Sequence, residues 1–381
     1  MKRKYLWLIG GIPVLLVVVA AYLLFPVMGA KNANDKVYVA AEDAGRIDVI
    51  SPKSQSVIAS IDLANNDNVD GAMYMAHNVQ VAPDEKSVWV TANAMANHTA
   101  SLKTRIVNKL FPTAYANEGH DEVSAAVDQV VVIDPLTDKI TRRIDVGSDL
   151  HLAHVVLTPD SKFALVSSQN KGEVYKIDTE TFRVVATAKA KSNAQPHGLR
   201  ISPDGKFAYV ALMGDKSIGK LNLSTLTFEY IPLTGTPVQT GITADGKYAL
   251  ASVFTGKSLA IVDTANQSVR YASLPSDAKG PLQLYPSSDV RYAYVADQGN
   301  DFGQPAGNSL YKVDVQQAKT VQTIRVGTAP HGVVVSPDDK YTYVTNMESD
   351  DVSVVDNNAG KEVARIRVEK KPNGISYWTK P

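Results

Sequence analysis

Residues 330–356, PHGVVVSPDDKYTYVTNMESDDVSVVD, hold a pattern that recurs along nearly the whole chain and leaves few folds open. Two short alternating apolar runs, residues 333–335 and 341–345, flank the turn Ser336-Pro337-Asp338-Asp339. A third run at 352–355 follows a polar loop, and a fourth at 362–368 follows the turn at 356–360. Period-two alternation bounded by Pro, Asp, Asn and Gly is the pattern of short antiparallel strands. Related turns stand upstream: SPDG at 202–205, TADG at 243–246, TPD at 158–160 and APD at 82–84. A four-stranded unit repeating at about 40–45 residues predicts a β-propeller blade. Leucine-rich repeats would be shorter, and helical repeats would show a 3.6-residue period that is absent.

Tyr343-Val344-Thr345-Asn346 behind SPDDK resembles the signature of the YVTN-type β-propeller repeat family, with variants at 89–93 (WVTAN), 209–212 (YVAL) and 294–297 (YVAD). The resemblance spans about residues 36–378. It implies the fold and says little about a role, because one fold hosts many sites.

Only three strands, at 37–41, 46–50 and 56–61, precede the first complete blade near His77. The missing fourth stands at 374–378, behind Lys371-Pro372-Asn373. Joining the termini in one blade closes the ring and removes an exposed sheet edge. The expectation is an all-β, seven-bladed propeller of four-stranded antiparallel blades over residues 36–381. Its complete blades open near His77, His154, His197, Gln239, Gln283 and His331. The turn aspartates Asp84, Asp160, Asp204, Asp245, Asp289 and Asp338 are spaced 76, 44, 41, 44 and 49, so two blades carry insertions. The larger, at about 94–127, contains a predicted helix at 101–111 with Leu102, Ile106 and Leu110 on one stripe and Pro112 at its end. The smaller, GNDFGQPAG, is at 299–307. Both follow the second strand of a blade and so share the face where the innermost strands enter. That face is elaborated and the SPDG face is bare. An apolar helical stripe needs a covering surface, either the channel mouth or a protein partner.

Residues 1–30 stand apart. Lys2-Arg3-Lys4 precedes an uncharged run whose densest apolar part, residues 6–25, matches the hydrocarbon core of a bilayer. An uncleaved signal anchor is favoured over a cleaved signal peptide. Both readings place the basic tip in the cytoplasm and the propeller on the periplasmic or extracellular side of the cytoplasmic membrane, after a linker at 31–35. Beyond that tip the chain carries 36 basic and 39 acidic side chains, which offers nucleic acid no basic footprint. With no cysteine, disulfides, thiolate metal sites and a covalent CxxCH haem are excluded. A monomeric propeller is expected.

Counting back seven residues from each turn aspartate gives the residue entering each innermost strand: His77, Ala153, His197, Val238, Leu282 and His331, with Asn373 in the composite blade. His154 lies one place after Ala153, and His151 just before. If His154 is admitted, His or Asn occupies five consecutive blades and leaves an apolar pair opposite. A histidine before glycine, as in His197-Gly198 and His331-Gly332, also serves as a packing device in propeller repeats, and that reading stays open. Of seven methionines, five lie beyond the N-terminal segment: Met73, Met75, Met95, Met213 and Met347. All five fall in loops assigned to the elaborated face. Imidazole with thioether and without thiolate suits copper better than zinc or calcium. His77, His154, His197 and His331 are the candidate ligands, with Met75, Met95, Met213 and Met347 as softer ones. Their affinity is expected to fall below about pH 6.5, where free imidazole protonates.

Acids at 118–122 and 348–351 read as solvated loops, and Asp134, Asp178, Asp263, Asp314 and Asp356 recur in step with the blade as turn residues. No Ser-His-Asp order, HExxH or P-loop stands out. A binding protein is therefore the leading expectation. The alternatives are a lactonase-like propeller hydrolase, favoured if carboxylates converge on the channel, and a protein-interaction scaffold.

Overall fold

The computed structural model describes residues 34–64, 73–95, 127–300 and 303–381. The expected membrane segment and the expected helix at 101–111 lie outside them. Among the described residues no helix is long and apolar enough to cross a membrane.

Among the described residues, twenty-eight strands form seven four-stranded antiparallel sheets. The first is composite: β1 (Lys36–Ala41), β2 (Arg46–Ser51) and β3 (Ser56–Asp62) are completed by β28 (Pro372–Trp378), which pairs with β1 on the channel side. The expected closure by the C-terminus therefore holds. The other innermost strands are β4 (Met73–Val81), β8 (Leu152–Leu157), β12 (Pro196–Ile201), β16 (Pro237–Ile242), β20 (Pro281–Pro286) and β24 (Pro330–Val335). Aliphatic and aromatic side chains pack between neighbouring blades. Tyr38, Ile47 and Trp378 of the composite blade, for example, meet Val79, Val90 and Val131 of the next.

The recurring turns have a common cause. In SPDG the Ser202 hydroxyl donates to Asp204 (2.6 Å) and accepts the Phe207 N–H (3.0 Å), while Asp204 accepts the Lys206 N–H (3.1 Å). Thr158/Asp160, Thr243/Asp245, Ser287/Asp289 and Ser336/Asp338 repeat the arrangement. Gly205 and Gly246 take the left-handed conformation that the turn's fourth position requires.

Every innermost strand carries one β-bulge at the same place. The pairing Pro196↔Leu212 is followed by Leu199↔Val210, and the equivalent shift recurs in β4, β8, β16, β20, β24 and β28. The extra residue frees a backbone N–H and bends the strand at the channel. In four blades a hydroxyl of the second strand accepts that N–H and donates to the next blade. Thr345, in the middle of YVTN, accepts the Gly332 N–H (2.7 Å) and donates to the Asn373 carbonyl of β28 (2.8 Å). Thr91, Ser167 and Ser252 play the same part. The motif thus stitches a bulge to its neighbour. Thr345→Val keeps the shape and orphans two buried backbone groups, so a loss of about 2–4 kcal/mol is expected, with Thr345→Ser near wild type. Urea unfolding checks this; an unchanged midpoint in the valine variant would refute the stitching role.

Candidate functional site

The bulge places two consecutive residues of each innermost strand at the channel. In register behind the strand-opening residue, four blades use the first position: His77, His197, His331 and Asn373. Three use the second: His154, Gln239 and Gln283. Where the first is His or Asn, the second is small or short: Asn78, Gly198, Gly332 or Gly374. At Gly198 a Cβ would sit 1.8 Å from the Gln239 amide oxygen, so glycine is what lets the neighbouring glutamine in. Val238 and Leu282, expected as the apolar pair, form a separate cluster with Phe254. The mouth is therefore two-sided, with imidazoles on one wall and an apolar wall opposite.

The imidazoles meet. Ring centroids of His77, His154 and His197 are 6.0, 5.7 and 5.1 Å apart, and His151 adds a contact of 5.6 Å to His77. A point equidistant from the first three rings lies about 3.2 Å from each centre, the sum of a metal–nitrogen bond of about 2.0–2.1 Å and about 1.1 Å from nitrogen to ring centre. As the side chains stand, no three His, Asp or Glu among the described residues set ligating atoms around one point. The triangle has the right size, and the rings would have to turn within it.

Their protonation is set by burial. His77 is lowered to about 3 by burial and by neighbouring His151, and His197 to about 3 by burial and by His77. His154 and His331 are held well below the ordinary value for the same first cause, reinforced by nearby imidazoles. All four rings are neutral at pH 7 and each keeps a lone pair. The expected loss of ligation near pH 6.5 is thereby corrected: folded-state proton competition at His77 and His197 begins toward pH 3.

The lone pairs are not equivalent. His197 donates Nδ1–H to the Val238 carbonyl (3.0 Å), and His331 donates Nδ1–H to the Gln298 side-chain oxygen. His197 therefore presents Nε2 as acceptor, the tautomer that a carbonyl partner selects for metal ligation, whereas the His331 ring also interacts with the Asn373 side chain. His77 differs: the Asn373 amide donates both to its Nδ1 (3.1 Å) and to Glu42 (3.0 Å). Six buried side-chain atoms of this ring lack a hydrogen-bond partner: both nitrogens of His154, Nε2 of His331, the amide nitrogens of Gln239 and Gln283, and Oδ1 of Asn373. Orphaned polar atoms at a buried site are costly, and six of them fall on this one ring.

The methionines need correction. Met73 and Met75 lie in β4 and Met95 in β5 (Val88–Met95), paired Met73↔Met95 and Met75↔Asn93, so three of the five are in strand extensions, not loops. Met73 is 57% exposed, turned away from a buried site. Met213 and Met347 do follow strands, as expected. Their N–H groups donate to the carbonyls of Gln195 (3.2 Å) and Ala329 (3.0 Å), each two residues before a channel histidine. The smaller insertion begins and ends in strand, since Gly299 closes β21 (Tyr292–Gly299) and pairs with Ala306 at the start of β22 (Ala306–Asp314).

Sequence reasoning passed over Gln239, Gln283 and the carboxylates around His151. The glutamines have a retrospective signal, standing two places after a strand-opening proline with no glycine between. Glu42, Asp128 and Asp149 act electrostatically on His151. Asp128 is already engaged, accepting the N–H groups of Ala94 and Leu150 at 2.8 Å each. Asp297 likewise accepts the Lys279 and Gly280 N–H groups and the Tyr311 hydroxyl. These acids anchor loops at the mouth.

Fold and ring together define a seven-bladed β-propeller with a polar, imidazole-lined channel. No family model matches the chain, and no curated protein sequence matches it. Solved structures match in fold. A functionally unknown protein from Desulfotomaculum acetoxidans is 15% identical with a TM-score of 0.68, over 91% of this chain and 100% of that one. Hydrazine synthase from Kuenenia stuttgartiensis is 18% identical, TM-score 0.62, over 79% and 89%. Virginiamycin B lyase from Staphylococcus aureus is 13% identical, TM-score 0.61, over 81% and 89%. At these identities the likeness establishes the propeller and nothing finer.

Proposed function

We propose that this chain is a YVTN-type propeller held at the cytoplasmic membrane by its N-terminal segment, and that its extracytoplasmic channel binds a metal ion, copper first. The observation that carries the reading is the buried cluster of neutral imidazoles at 5.1–6.0 Å centroid spacing. It is supported by the orphaned nitrogens of His154 and His331. Imidazoles without thiolate, with Met213 and Met347 on the same rim, suit copper better than harder ions. His197 is the ligand whose tautomer is already set, and His331 is the second. His154 adds a third free ring, and His77 joins when Asn373 releases it.

Acid–base catalysis by these histidines is disfavoured. A ring lowered to about 3, as at His77 and His197, carries no proton to give at neutral pH and is a weak base. A hydrolase is not favoured either by acids tied to backbone N–H groups.

The test is titration of copper into residues 31–381, beside a His77→Ala, His197→Ala, His331→Ala variant. One equivalent bound by the wild-type propeller and a loss of at least 100-fold in the variant are expected. Equal uptake by both would rule out this site, even with copper bound elsewhere.

A further inference from the structure

The SPDG face, expected to be bare, carries a cavity of about 560 Å³ at the other mouth of the channel. That size suits a small organic ligand. Its walls come from all seven innermost strands and their turns, and are mostly apolar: Val81, Val156, Leu157, Ile201, Ile242 and Val335 among them. Among the described residues one cation, Arg200, lines it. Arg200, on β12, donates to the Leu199 carbonyl (2.8 Å), and among the described residues no carboxylate stands within ion-pair distance of its guanidinium. Tyr285 lines the same cavity, near enough to couple electrostatically with the guanidinium, and burial holds its hydroxyl protonated. The acids of the cavity are otherwise engaged. Asp339 accepts the Ser288 N–H (3.0 Å) and hydroxyl, and Glu85 accepts the Thr379 N–H (3.2 Å).

A half-buried guanidinium without a carboxylate is a cost that the fold does not need, since the equivalent positions of the other six blades, Gln80, Val156, Gly241, Tyr285, Val334 and Ser376, all hold uncharged residues. Arginine offers a planar fork matched to a carboxylate, and the surrounding aliphatic walls exclude water from whatever follows it. We propose that this mouth binds an organic carboxylate with an apolar body: the carboxylate pairs with Arg200, the Tyr285 hydroxyl donates to it, and the body lies against the aliphatic walls. The site stands on the opposite face from the histidine ring and does not depend on metal.

The test uses the full-length protein in detergent, with 2-naphthoate as probe and neutral 2-naphthamide as its charge control, by calorimetry. Naphthoate is expected to bind at least 10-fold more tightly than the amide. Arg200→Gln should lose that 10-fold preference while leaving the amide unchanged, and His77→Ala/His197→Ala/His331→Ala should keep it. Melting separates a binding role from a packing one: removal of an unpaired, desolvated cation should leave the Tm of Arg200→Gln equal to or above wild type. Absence of naphthoate binding, equal binding of acid and amide, or an Arg200→Gln protein that melts lower yet binds naphthoate as before would each overturn the proposal.

Discussion

Acidification from pH 8 to pH 5 is expected to unfold the propeller far more readily than its net charge would suggest. His77 and His197 titrate near 3 in the folded protein, and His154 and His331 well below the ordinary value, because burial opposes their charged forms. In the unfolded chain the same rings titrate near 6.5. Between these values the unfolded state binds more protons, so stability is full above about pH 6.5 and falls as pH drops through that value toward 3. At pH 5 a ring lowered to about 3 favours the unfolded state by about 2 kcal/mol, so His77 and His197 together contribute about 4 kcal/mol, and His154 and His331 act in the same direction. Glu85 opposes this, since burial raises its carboxyl to about 7 and the folded state then takes up a proton. It is partly exposed, and solvent screening reduces its share. A net loss of several kcal/mol remains, comparable with the whole stability of an ordinary domain. Urea midpoints at pH 8, 6.5 and 5 measure it, and His77→Gln/His197→Gln should flatten the slope by about half. Equal midpoints at pH 8 and 5 would mean that the rings are not buried and neutral.

Removal of residues 372–381 should be more damaging still. β28 is the innermost strand of the composite blade, and its loss exposes the channel edge of β1. Trp378 is 1% exposed and donates its indole N–H to the Glu85 carbonyl (2.7 Å), Ile375 is buried, and Tyr377 packs against Tyr343. Three large side chains at about 1.5–3 kcal/mol each already approach the stability of a domain. The stitches go with them, since Thr345 loses the Asn373 carbonyl and the Val81 N–H loses the Ser376 hydroxyl (3.0 Å). The truncated chain is expected to show no cooperative melt and to aggregate through the open edge. A truncated monomer that melts at the wild-type temperature would contradict ring closure by this strand.

The blade count and closure were legible because SPDG turns and alternating runs each have a local physical cause: a hydroxyl–carboxylate–amide turn and a two-faced strand. The entry positions were legible for the same reason, since seven residues back from a turn aspartate lands on His77, His197 and His331. The bulge was not legible. It is a pairing feature between strands, and no residue type in β8 announces that His154, one place along, also reaches the channel. Gln239 and Gln283 were missed through the same gap. Met73, Met75 and Met95 read as loop residues because nothing local shows how far β4 and β5 run together beyond the blade. The depressed histidine pKa values follow from seven strands converging, which a linear reading cannot weigh. Arg200 was invisible too, one charged residue on an apolar strand whose neighbours across the ring are contributed by other blades.

X-ray absorption at the copper edge of the copper-loaded propeller reads out directly whether the channel imidazoles bind the metal. Two or three nitrogen scatterers at about 2.0 Å with the outer-shell pattern of imidazole rings are expected, lost in the His77→Ala/His197→Ala/His331→Ala protein. A spectrum of oxygen scatterers without imidazole, or one unchanged by the triple substitution, would contradict copper binding at this ring.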